Sequence, residues 1–321
     1  MITLLDIQEA RKRIHGRIRR TPATSSESLG KRLDCRVSLK LELFQKTGSF
    51  KVRGAFNKVL AAGADGCGEG LVAVSGGNHA QAVAYVAREL GLRAKIIMPS
   101  STPSNYVDGT RGYGADIVFA ADATAAFATV AGYEKQGWLA VHPFDDPLVI
   151  AGQGTTGLEI VEDLPDLTDL VVSIGGGGFI GGVATAVKAL KPEVRIWGVE
   201  TEGADAMAQA LAAGHPVQLP GITSIARTLG APSVSERTLA MARRYLESVT
   251  VVPDSEAVES LRVILERAKV LTEPAGACTL AAAGRLKGQF QPSSHVVLLL
   301  CGGNVGLTDV CRWLEPVNIT R

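Results

Sequence analysis

The sequence predicts an α/β protein built from two open, twisted sheets, each covered by helices, with a cleft between them. From about residue 70 onward, short apolar runs alternate with segments whose apolar residues recur at helical spacing. The 321 residues, 46% of them hydrophobic, suffice for two packed domains. Two prolines interrupt the alternation within residues 142–152, and we expect the chain to cross between the domains there.

The predicted elements follow one another in a regular order. Connections through helices are typical of parallel sheets, so both sheets are expected to be mainly parallel. In the first half the predicted strands are 71–75, 94–99, 115–120 and 138–143, and the helices are 78–90 and 122–137, the latter with Asp122 as N-cap. In the second half the strands are 170–175, 194–200 and 295–304, and the helices are 179–190, 203–214 and 255–269.

Composition and charge exclude several classes of protein. The net charge of +1 argues against a nucleic-acid surface or a polybasic membrane patch. The N-terminus lacks an apolar signal core, and no stretch approaches the roughly 20 apolar residues of a membrane span. The five cysteines are odd in number and form no C-x-x-C pair, which is typical of reduced thiols. We therefore expect a cytoplasmic protein without a nucleic-acid or membrane partner.

Lys51 stands in the first turn of a predicted helix, within the stretch QKTGSFKVRGAF at residues 45–56. Ser49 is the expected N-cap of that helix. A helix N-terminus and apolar neighbours both disfavour the charged amine, so the pKa of Lys51 should fall and its nitrogen should become nucleophilic. Taken alone, a surface lysine on an amphipathic helix would be the commoner explanation.

A glycine-rich turn, SIGGGGFIGG at residues 173–182, joins a predicted strand to a predicted helix. Its backbone amides and the helix N-terminus are suited to a phosphate. Its spacing also satisfies the G-x-G-x-x-G pattern of a nicotinamide dehydrogenase, with Glu200 at the end of the next strand. That pattern is expected in the first turn of a nucleotide domain, whereas here it lies in mid-chain. A tight turn without a ligand is a further alternative, which four consecutive glycines disfavour.

Two other strand ends carry polar groups. The stretch SGGNHAQ at 75–81 offers amides for a carboxylate, and Asn78 can donate to a phenolic or carbonyl oxygen, although an ordinary N-cap is an equal alternative. Cys301 ends the last predicted strand, where a buried core cysteine is the simpler explanation. Together with Lys51 and the glycine loop, these groups describe a site for pyridoxal 5'-phosphate, with the lysine as Schiff-base partner.

At this point the chain resembles the threonine dehydratase (threonine ammonia-lyase) and serine racemase family of pyridoxal-phosphate enzymes, over residues 5–310. The resemblance implies fold type II, similar to the tryptophan synthase β-subunit. It also implies a large cofactor-binding domain of residues 1–50 and 147–321, a small domain of residues 51–146, and a homodimer. The motifs that carry it are KTGSFKVRGA (46–55), SGGNHAQ (75–81), VHPFDDPLVIAGQGT (141–155), GGGGFIGG (175–182), VE (199–200), EPAGA (273–277) and CGGN (301–304).

The resemblance implies a role for each site residue. Lys51 would carry the cofactor and move the substrate's α-proton, Phe50 would pack beside the ring, and Asn78 would donate to its phenolic oxygen. Cys301 would face the pyridine nitrogen as a neutral thiol, which favours prompt loss of a β-hydroxyl. The phosphate would be bound by Gly175, Gly176, Gly177 and Gly178. The substrate carboxylate would be held by Ser75, Gly76, Asn78 and His79.

Several positions depart from the family pattern. Racemases carry a second serine where this chain has Gly76, so we expect elimination with little racemisation. Phe127 replaces an arginine of serine racemases, which favours an apolar side chain on the substrate. Arg227 and Thr228 replace the usual Asp-Gly; Arg227 is either a partner for an acidic substrate or, the favoured interpretation, a member of a surface ion pair.

The resemblance also implies a divalent or alkali cation at Glu200 and Ala204, although the carboxylate ligand of the family's pattern is missing from this chain, which has Ala206 there. The expected function is an ammonia-lyase that converts a β-hydroxy-α-amino acid to a 2-oxo acid and ammonia. Threonine or serine is the default substrate, and phenylserine and 3-hydroxyaspartate remain open. A racemase or a β-replacement enzyme is the alternative within the family, and a nicotinamide dehydrogenase the alternative outside it.

Overall fold

A computed structural model describes residues 1–121 and 123–315 of the chain, so the predicted N-cap Asp122 lies outside the described residues. The described chain forms a six-stranded sheet in the order β1-β2-β10-β7-β8-β9 and a four-stranded sheet in the order β5-β4-β3-β6. The strands are β1 Ala23–Ser25, β2 Arg36–Leu41, β3 Leu71–Val74, β4 Ala94–Pro99, β5 Asp116–Ala120, β6 Leu139–Ala140, β7 Asp169–Ser173, β8 Arg195–Thr201, β9 Ser248–Val252 and β10 His295–Leu300.

The pairing follows the predicted parallel pattern. The small sheet is parallel throughout, and in the large sheet only the edge strand β1 runs antiparallel to its neighbour. Apolar side chains on both faces of each sheet form the cores, which explains why its inner strands are continuous apolar runs. The carboxyl ends of parallel strands share one edge, and this edge carries the polar turns of the chain.

Helices cover the sheets and also join the two halves of the molecule. Short 3-10 turns lie at Glu42–Phe44, Arg227–Leu229 and Lys287–Gln289. The α-helices are α1 Leu4–Ile14, α2 Glu27–Leu33, α3 Lys51–Gly66, α4 Asn78–Leu90, α5 Ser104–Gly112, α6 Ala123–Glu134, α7 Pro147–Asp163, α8 Gly178–Leu190, α9 Ala206–Ala213, α10 Glu236–Tyr245, α11 Asp254–Ala268, α12 Pro274–Arg285 and α13 Leu307–Leu314. In the described part of the chain, no helix is both long and apolar enough to span a bilayer.

One helix start was not predicted, and one predicted helix cap was wrong. Pro147 does not interrupt the structure but opens α7, because proline is favoured in the first turn of a helix. Asp146 caps that helix by accepting hydrogen bonds from the amides of Leu148 and Val149. Ser49 is not the cap of α3, since the cap position is Phe50 and no side chain makes a capping bond there.

A buried cluster of charges ties α3 to α7 and to the turn after β2. The guanidinium of Arg53, which is fully buried, makes bidentate pairs with Glu42 and Glu159 at 2.7–2.9 Å. Lys40 donates to Glu159 at 2.7 Å, and Thr21 donates its hydroxyl hydrogen to Glu42. Arg53 lies two residues after Lys51, so this cluster anchors the first turn of the helix that presents Lys51.

Candidate active site

The strand ends converge on one cavity. The glycine loop follows β7, Cys301 follows β10, Asn78 opens α4 after β3, and Lys51 begins α3. The structure therefore brings together the lysine, the glycine loop, the asparagine and the cysteine that the sequence singled out. The lining also includes residues without a predicted role: Phe144, Ser173, Ile174, Phe179, Ile180, Leu229 and Glu273.

Lys51 is partly buried, and its amine donates a hydrogen bond to the carbonyl oxygen of Pro143 at 2.7 Å. Burial lowers the pKa of Lys51 to about 8, while the nearby Glu273 carboxylate opposes that shift. The amine lies 5.1 Å from the centroid of the Phe50 ring. A fraction of the amine is therefore neutral near physiological pH, as nucleophilic attack on a carbonyl compound requires.

Phe50 and Phe179 form the apolar side of the site. Their rings are stacked, with centroids 3.7 Å apart and an interplanar angle of 10°. This stack joins the residue before Lys51 to the first turn of α8, which follows the glycine loop. The predicted place of Phe50 beside a cofactor ring stays a prediction.

Gly175, Gly176, Gly177 and Gly178 form the turn from β7 into α8. The first amides of a helix have no acceptor within the helix, so those of α8 are available to an anion. A Cβ atom on Gly176 would overlap the Phe144 ring, so this position excludes any side chain. Gly177 has a φ of 86°, a conformation that favours glycine.

A polar network unites four separate segments around Glu273. The Asn78 amide donates to both carboxylate oxygens of Glu273, at 2.9 and 3.1 Å, and the Thr228 hydroxyl donates to one of them at 2.9 Å. The Asn304 amide donates to Asn78 Oδ1 at 2.8 Å and so fixes the orientation of that side chain. Burial raises the pKa of Glu273 to about 7 despite these bonds. Asn78 thus contacts a carboxylate, and its bond to a phenolic oxygen stays a prediction.

Cys301 is buried at the end of β10, beside Glu273. Its sulfur accepts a hydrogen bond from the Ser173 hydroxyl at 3.5 Å and lies 3.9 Å from Glu273 Oε1. Burial and the neighbouring carboxylate raise the pKa of Cys301 well above its usual range. The side chain is therefore a neutral thiol, and its place opposite a pyridine nitrogen stays a prediction.

The loop Ser75–Gly76–Gly77 at the start of α4 is only partly buried, and its residues are not among those that line the Lys51 cavity. The His79 ring, in contrast, is buried and contacts the carbonyl oxygen of Val141 through Nε2 at 2.7 Å. Burial lowers the pKa of His79 to about 3, so the ring is neutral. A carbonyl oxygen only accepts, so Nε2 carries the proton and Nδ1 cannot donate. The backbone amide of His79 is therefore the group that suits its predicted carboxylate role.

Glu200, a predicted cation ligand, is buried at the end of β8, and its carboxylate accepts from the amides of Met207 and Ala208 at 2.9 and 2.8 Å. It thereby caps α9, and burial raises its pKa to about 8. Residues 1–121 and 123–315 contain no group of three or more His, Cys, Asp or Glu side chains placed to hold a metal. The cation site at Glu200 and Ala204 stays a prediction.

The residues around the cavity fit pyridoxal phosphate. An amine with a lowered pKa suits the aldehyde, and a helix N-terminus preceded by side-chain-free positions suits the phosphate. The donors and apolar walls match a phosphorylated aromatic aldehyde.

Sequence reasoning missed Glu273, Phe144 and Asn304 as members of the site. Glu273 and Asn304 lie in the motifs EPAGA and CGGN, and Phe144 lies in VHPFDDPLVIAGQGT. The motifs were identified from the sequence, but no role was assigned to these three residues. Asn78 and Glu273 are 195 positions apart in the chain. Their pairing depends on the order of the strands, which local patterns do not reveal.

A two-domain α/β fold in which a partly buried lysine and a glycine loop line one cavity is typical of a pyridoxal-phosphate enzyme. The chain belongs to the pyridoxal-phosphate dependent enzyme family, whose model matches residues 14–302. The predicted family, fold class and cofactor are thereby confirmed. The glycine loop is that of a pyridoxal-phosphate enzyme and not of a nicotinamide dehydrogenase.

Individual relatives are similar over nearly the whole chain. The sequence is 40% identical to the L-threonine ammonia-lyase of Geobacter sulfurreducens, over 96% of this chain and 77% of that protein. It is 38% identical to a serine racemase of Oryza sativa subsp. indica, over 94% of this chain and 90% of that protein. The crystal structure of a threonine deaminase from T.th. matches with a TM-score of 0.89 at 39% identity, covering 95% of this chain and 99% of that one.

Proposed function

We propose that this enzyme is an ammonia-lyase that removes water and then ammonia from a β-hydroxy-α-amino acid, with threonine and serine as default substrates. The main observation in support is that the Lys51 amine, the glycine loop and the neutral Cys301 thiol all line one cavity. Relatives named L-threonine ammonia-lyase support the same reaction.

Each part of the site has a proposed task. The amides of Gly175–Gly178 would hold the phosphate of the cofactor, and the Lys51 amine would attach the cofactor to the protein. When bound, pyridoxal phosphate would supply a sink for the electrons of the bond to the α-hydrogen. Cys301 would contribute a neutral thiol to the site, and the backbone at Ser75–His79 would hold the substrate carboxylate.

Lys51 is also the proposed proton carrier. Its neutral amine would accept the α-proton of the substrate, for which a pKa near 8 is well matched. The β-hydroxyl leaves with a proton as water, and hydrolysis of the product releases a 2-oxo acid and ammonia. Water lost in the first stage is regained in the second, so the net reaction is deamination.

Gly76 favours elimination over racemisation. Racemisation needs a proton donor on the face opposite Lys51, and glycine has no side chain that can act as one. A Cβ atom at this position would lie 2.6 Å from Thr102 Oγ1, whose hydroxyl donates to the carbonyl oxygen of Pro99. The local packing therefore leaves no room for a second serine unless Thr102 moves.

The test is the release of 2-oxobutanoate from L-threonine and pyruvate from L-serine by the purified holoenzyme. Lys51→Ala should abolish release and the visible absorbance of the lysine-bound cofactor. Lys58→Ala, a lysine on the same helix that pairs with Asp146, should retain both. Chiral analysis of the remaining serine completes the test, because D-serine formed as fast as pyruvate would establish a racemase instead.

We also propose that the enzyme is a cytoplasmic homodimer. All five cysteines are free, which supports a reducing compartment. Light scattering of the purified protein and fractionation of its source cells would test the two parts separately.

A further inference from the structure

Thr228 lies on the 3-10 turn Arg227–Leu229, at the boundary between two cavities. Thr228 and Glu273 line the Lys51 cavity and also an outer cavity of about 240 Å³. The chain departs from the family's usual Asp-Gly at Arg227 and Thr228, and a glycine at position 228 would have no hydroxyl group. The chain therefore carries an additional polar side chain at the edge of the Lys51 cavity.

The two residues that replace Asp-Gly have different surroundings. The Thr228 hydroxyl donates a hydrogen bond to Glu273 Oε1 at 2.9 Å. Arg227 is exposed, and its guanidinium has neither an ion pair nor a side-chain hydrogen bond in residues 1–121 and 123–315. The surface ion pair favoured from the sequence is therefore wrong, and Thr228 is the one of the two residues that lines the Lys51 cavity.

Glu273 is buried, and several groups surround its carboxylate. Besides Thr228, the hydrogen-bond donors are the side-chain amide of Asn78, at 2.9 and 3.1 Å, and the backbone amide of Asn304. The titratable and charged groups that face Glu273 from the surrounding elements are Lys51 of α3, Tyr106 of α5, Cys278 of α12, Cys301 after β10, the exposed Arg227, and the Asp309–Arg312 pair of α13. Burial keeps the tyrosine and both thiols neutral, so Lys51 is the cation that shares the Lys51 cavity with this carboxylate.

The methyl group of Thr228 helps to fix the direction of its hydroxyl. Cγ2 lies toward Gly77, since a Cβ atom on that glycine would be 3.4 Å away from it. A β-branched side chain has few χ1 rotamers, and this one places the methyl against Gly77 and the hydroxyl on Glu273. Thr228 thus contacts both the loop before α4 and the carboxylate before α12.

We propose that Thr228 positions the Glu273 carboxylate as the electrostatic partner of Lys51, so that this amine can hold the proton that it removes from the substrate. The inference rests on the proposed ammonia-lyase function and adds a positioning residue to it. A hydrogen bond to a carboxylate favours the ionised form, and a nearby negative charge favours a protonated amine. Without the Thr228 hydroxyl, Glu273 would stay protonated up to a higher pH, and protonated Lys51 would be less stable.

The first measurement uses the apoenzyme and requires no turnover. Acetic anhydride reacts with neutral amines, and mass spectrometry of the peptide that contains Lys51 gives the extent of reaction at each pH. Thr228→Val replaces the hydroxyl with a methyl group, and half-maximal labelling should then occur about half a pH unit lower than in the wild type, because a hydrogen bond to a carboxylate changes the pKa of that group by about one unit. Thr228→Ser keeps the hydroxyl and should restore the wild-type profile.

Thr102→Val is the matched control. Thr102 lies beside Gly76 of the same loop, but its hydroxyl donates to the carbonyl oxygen of Pro99 and not to a carboxylate. Its labelling profile should equal that of the wild type. Glu273→Gln should itself move labelling to lower pH, and adding Thr228→Val should produce no further shift. A further shift of the same size, or an unchanged profile in Thr228→Val alone, would overturn the inference.

Turnover of L-threonine by the holoenzyme tests the role in proton transfer. Thr228→Val should lower kcat about threefold to tenfold and move the acid limb of kcat to lower pH, with a smaller change in KM, because the hydroxyl supports proton transfer and not substrate binding. A lower kcat with an unmoved pH profile would show a merely structural role and overturn the inference. If the wild-type holoenzyme releases no oxo acid, the proposed function fails. The labelling of the apoenzyme then decides by itself whether Thr228 acts on Lys51 through Glu273.

Discussion

Replacing Arg53 with methionine should destabilise the protein far more than the loss of an ordinary arginine would. The substitution removes four charge-assisted hydrogen bonds of 2.7–2.9 Å to Glu42 and Glu159. Glu42 is fully buried and would keep only the Thr21 hydroxyl, whereas Glu159 would keep Lys40. Removal of one partner from a buried pair costs about 3–5 kcal/mol, and we expect Arg53→Met to lower the free energy of unfolding by that amount.

Urea denaturation of the holoenzyme, followed by far-UV circular dichroism and cofactor absorbance, measures this loss. Because a two-domain protein need not unfold in one step, the midpoints of the two signals are compared separately. Arg285→Met is the matched control, since Arg285 pairs with Glu256 on the surface and such pairs contribute about 0–1 kcal/mol. Equal shifts in Arg53→Met and Arg285→Met would refute the reasoning.

A double variant identifies the source of the penalty. Most of the expected loss of stability arises because the buried Glu42 carboxylate is left without a cationic partner, and not because the attraction itself is lost. Arg53→Met with Glu42→Gln should therefore be more stable than Arg53→Met alone. A double variant that is less stable than the single one would show that packing, and not the buried charge, sets the cost.

Two further predictions concern the cofactor site. Gly176→Ala should weaken binding of pyridoxal phosphate to the apoenzyme by about tenfold or more, because the added Cβ overlaps the Phe144 ring; a tenfold loss is about 1.4 kcal/mol. Fluorescence titration measures the affinity for pyridoxal phosphate. Gly284→Ala is the control and should leave that affinity unchanged, because a Cβ at position 284 has no neighbour within 4 Å. The rate at which the apoenzyme takes up pyridoxal phosphate should rise with pH and level off above about 8, because the neutral Lys51 amine is the nucleophile. A rate that still rises about tenfold per unit up to pH 10 would mean that Lys51 keeps the pKa of an ordinary lysine.

Local patterns predicted those elements whose signal lies within a single segment. Strand β4 and helix α4 begin and end at the predicted residues, 94–99 and 78–90. Both carry an apolar pattern of clear period and end at a glycine or at polar residues. The strand predicted over 138–143, in contrast, pairs only at Leu139–Ala140, because its polar and proline-containing end turns into the loop that contacts Lys51.

Elements whose signal depends on distant partners were missed. Strand β2 alternates polar and apolar residues, yet Lys40 is fully buried, because Glu159 and the carbonyl oxygen of Thr21 accept its hydrogens. The helix that opens at Pro147 was not predicted, because proline breaks a helix interior but suits a first turn. Of these two cases, only the burial of Lys40 depends on neighbours far along the chain, since Asp146, which caps α7, is local.

For Lys51, too, the local sequence predicted one property, and a residue far along the chain determines another. The sequence indicated a lysine held ready to lose its proton, and burial does lower its pKa to about 8. It did not indicate that Glu273, whose pKa burial raises to about 7, would lie near enough to oppose that shift. Below pH 7 the carboxyl is protonated, and above pH 8 the amine is neutral, so without cofactor both groups are charged mainly between these values. The Glu273 carboxylate, which accepts hydrogen bonds from Asn78 and Thr228, therefore influences the pKa of Lys51. Loss of either hydrogen bond should change that pKa.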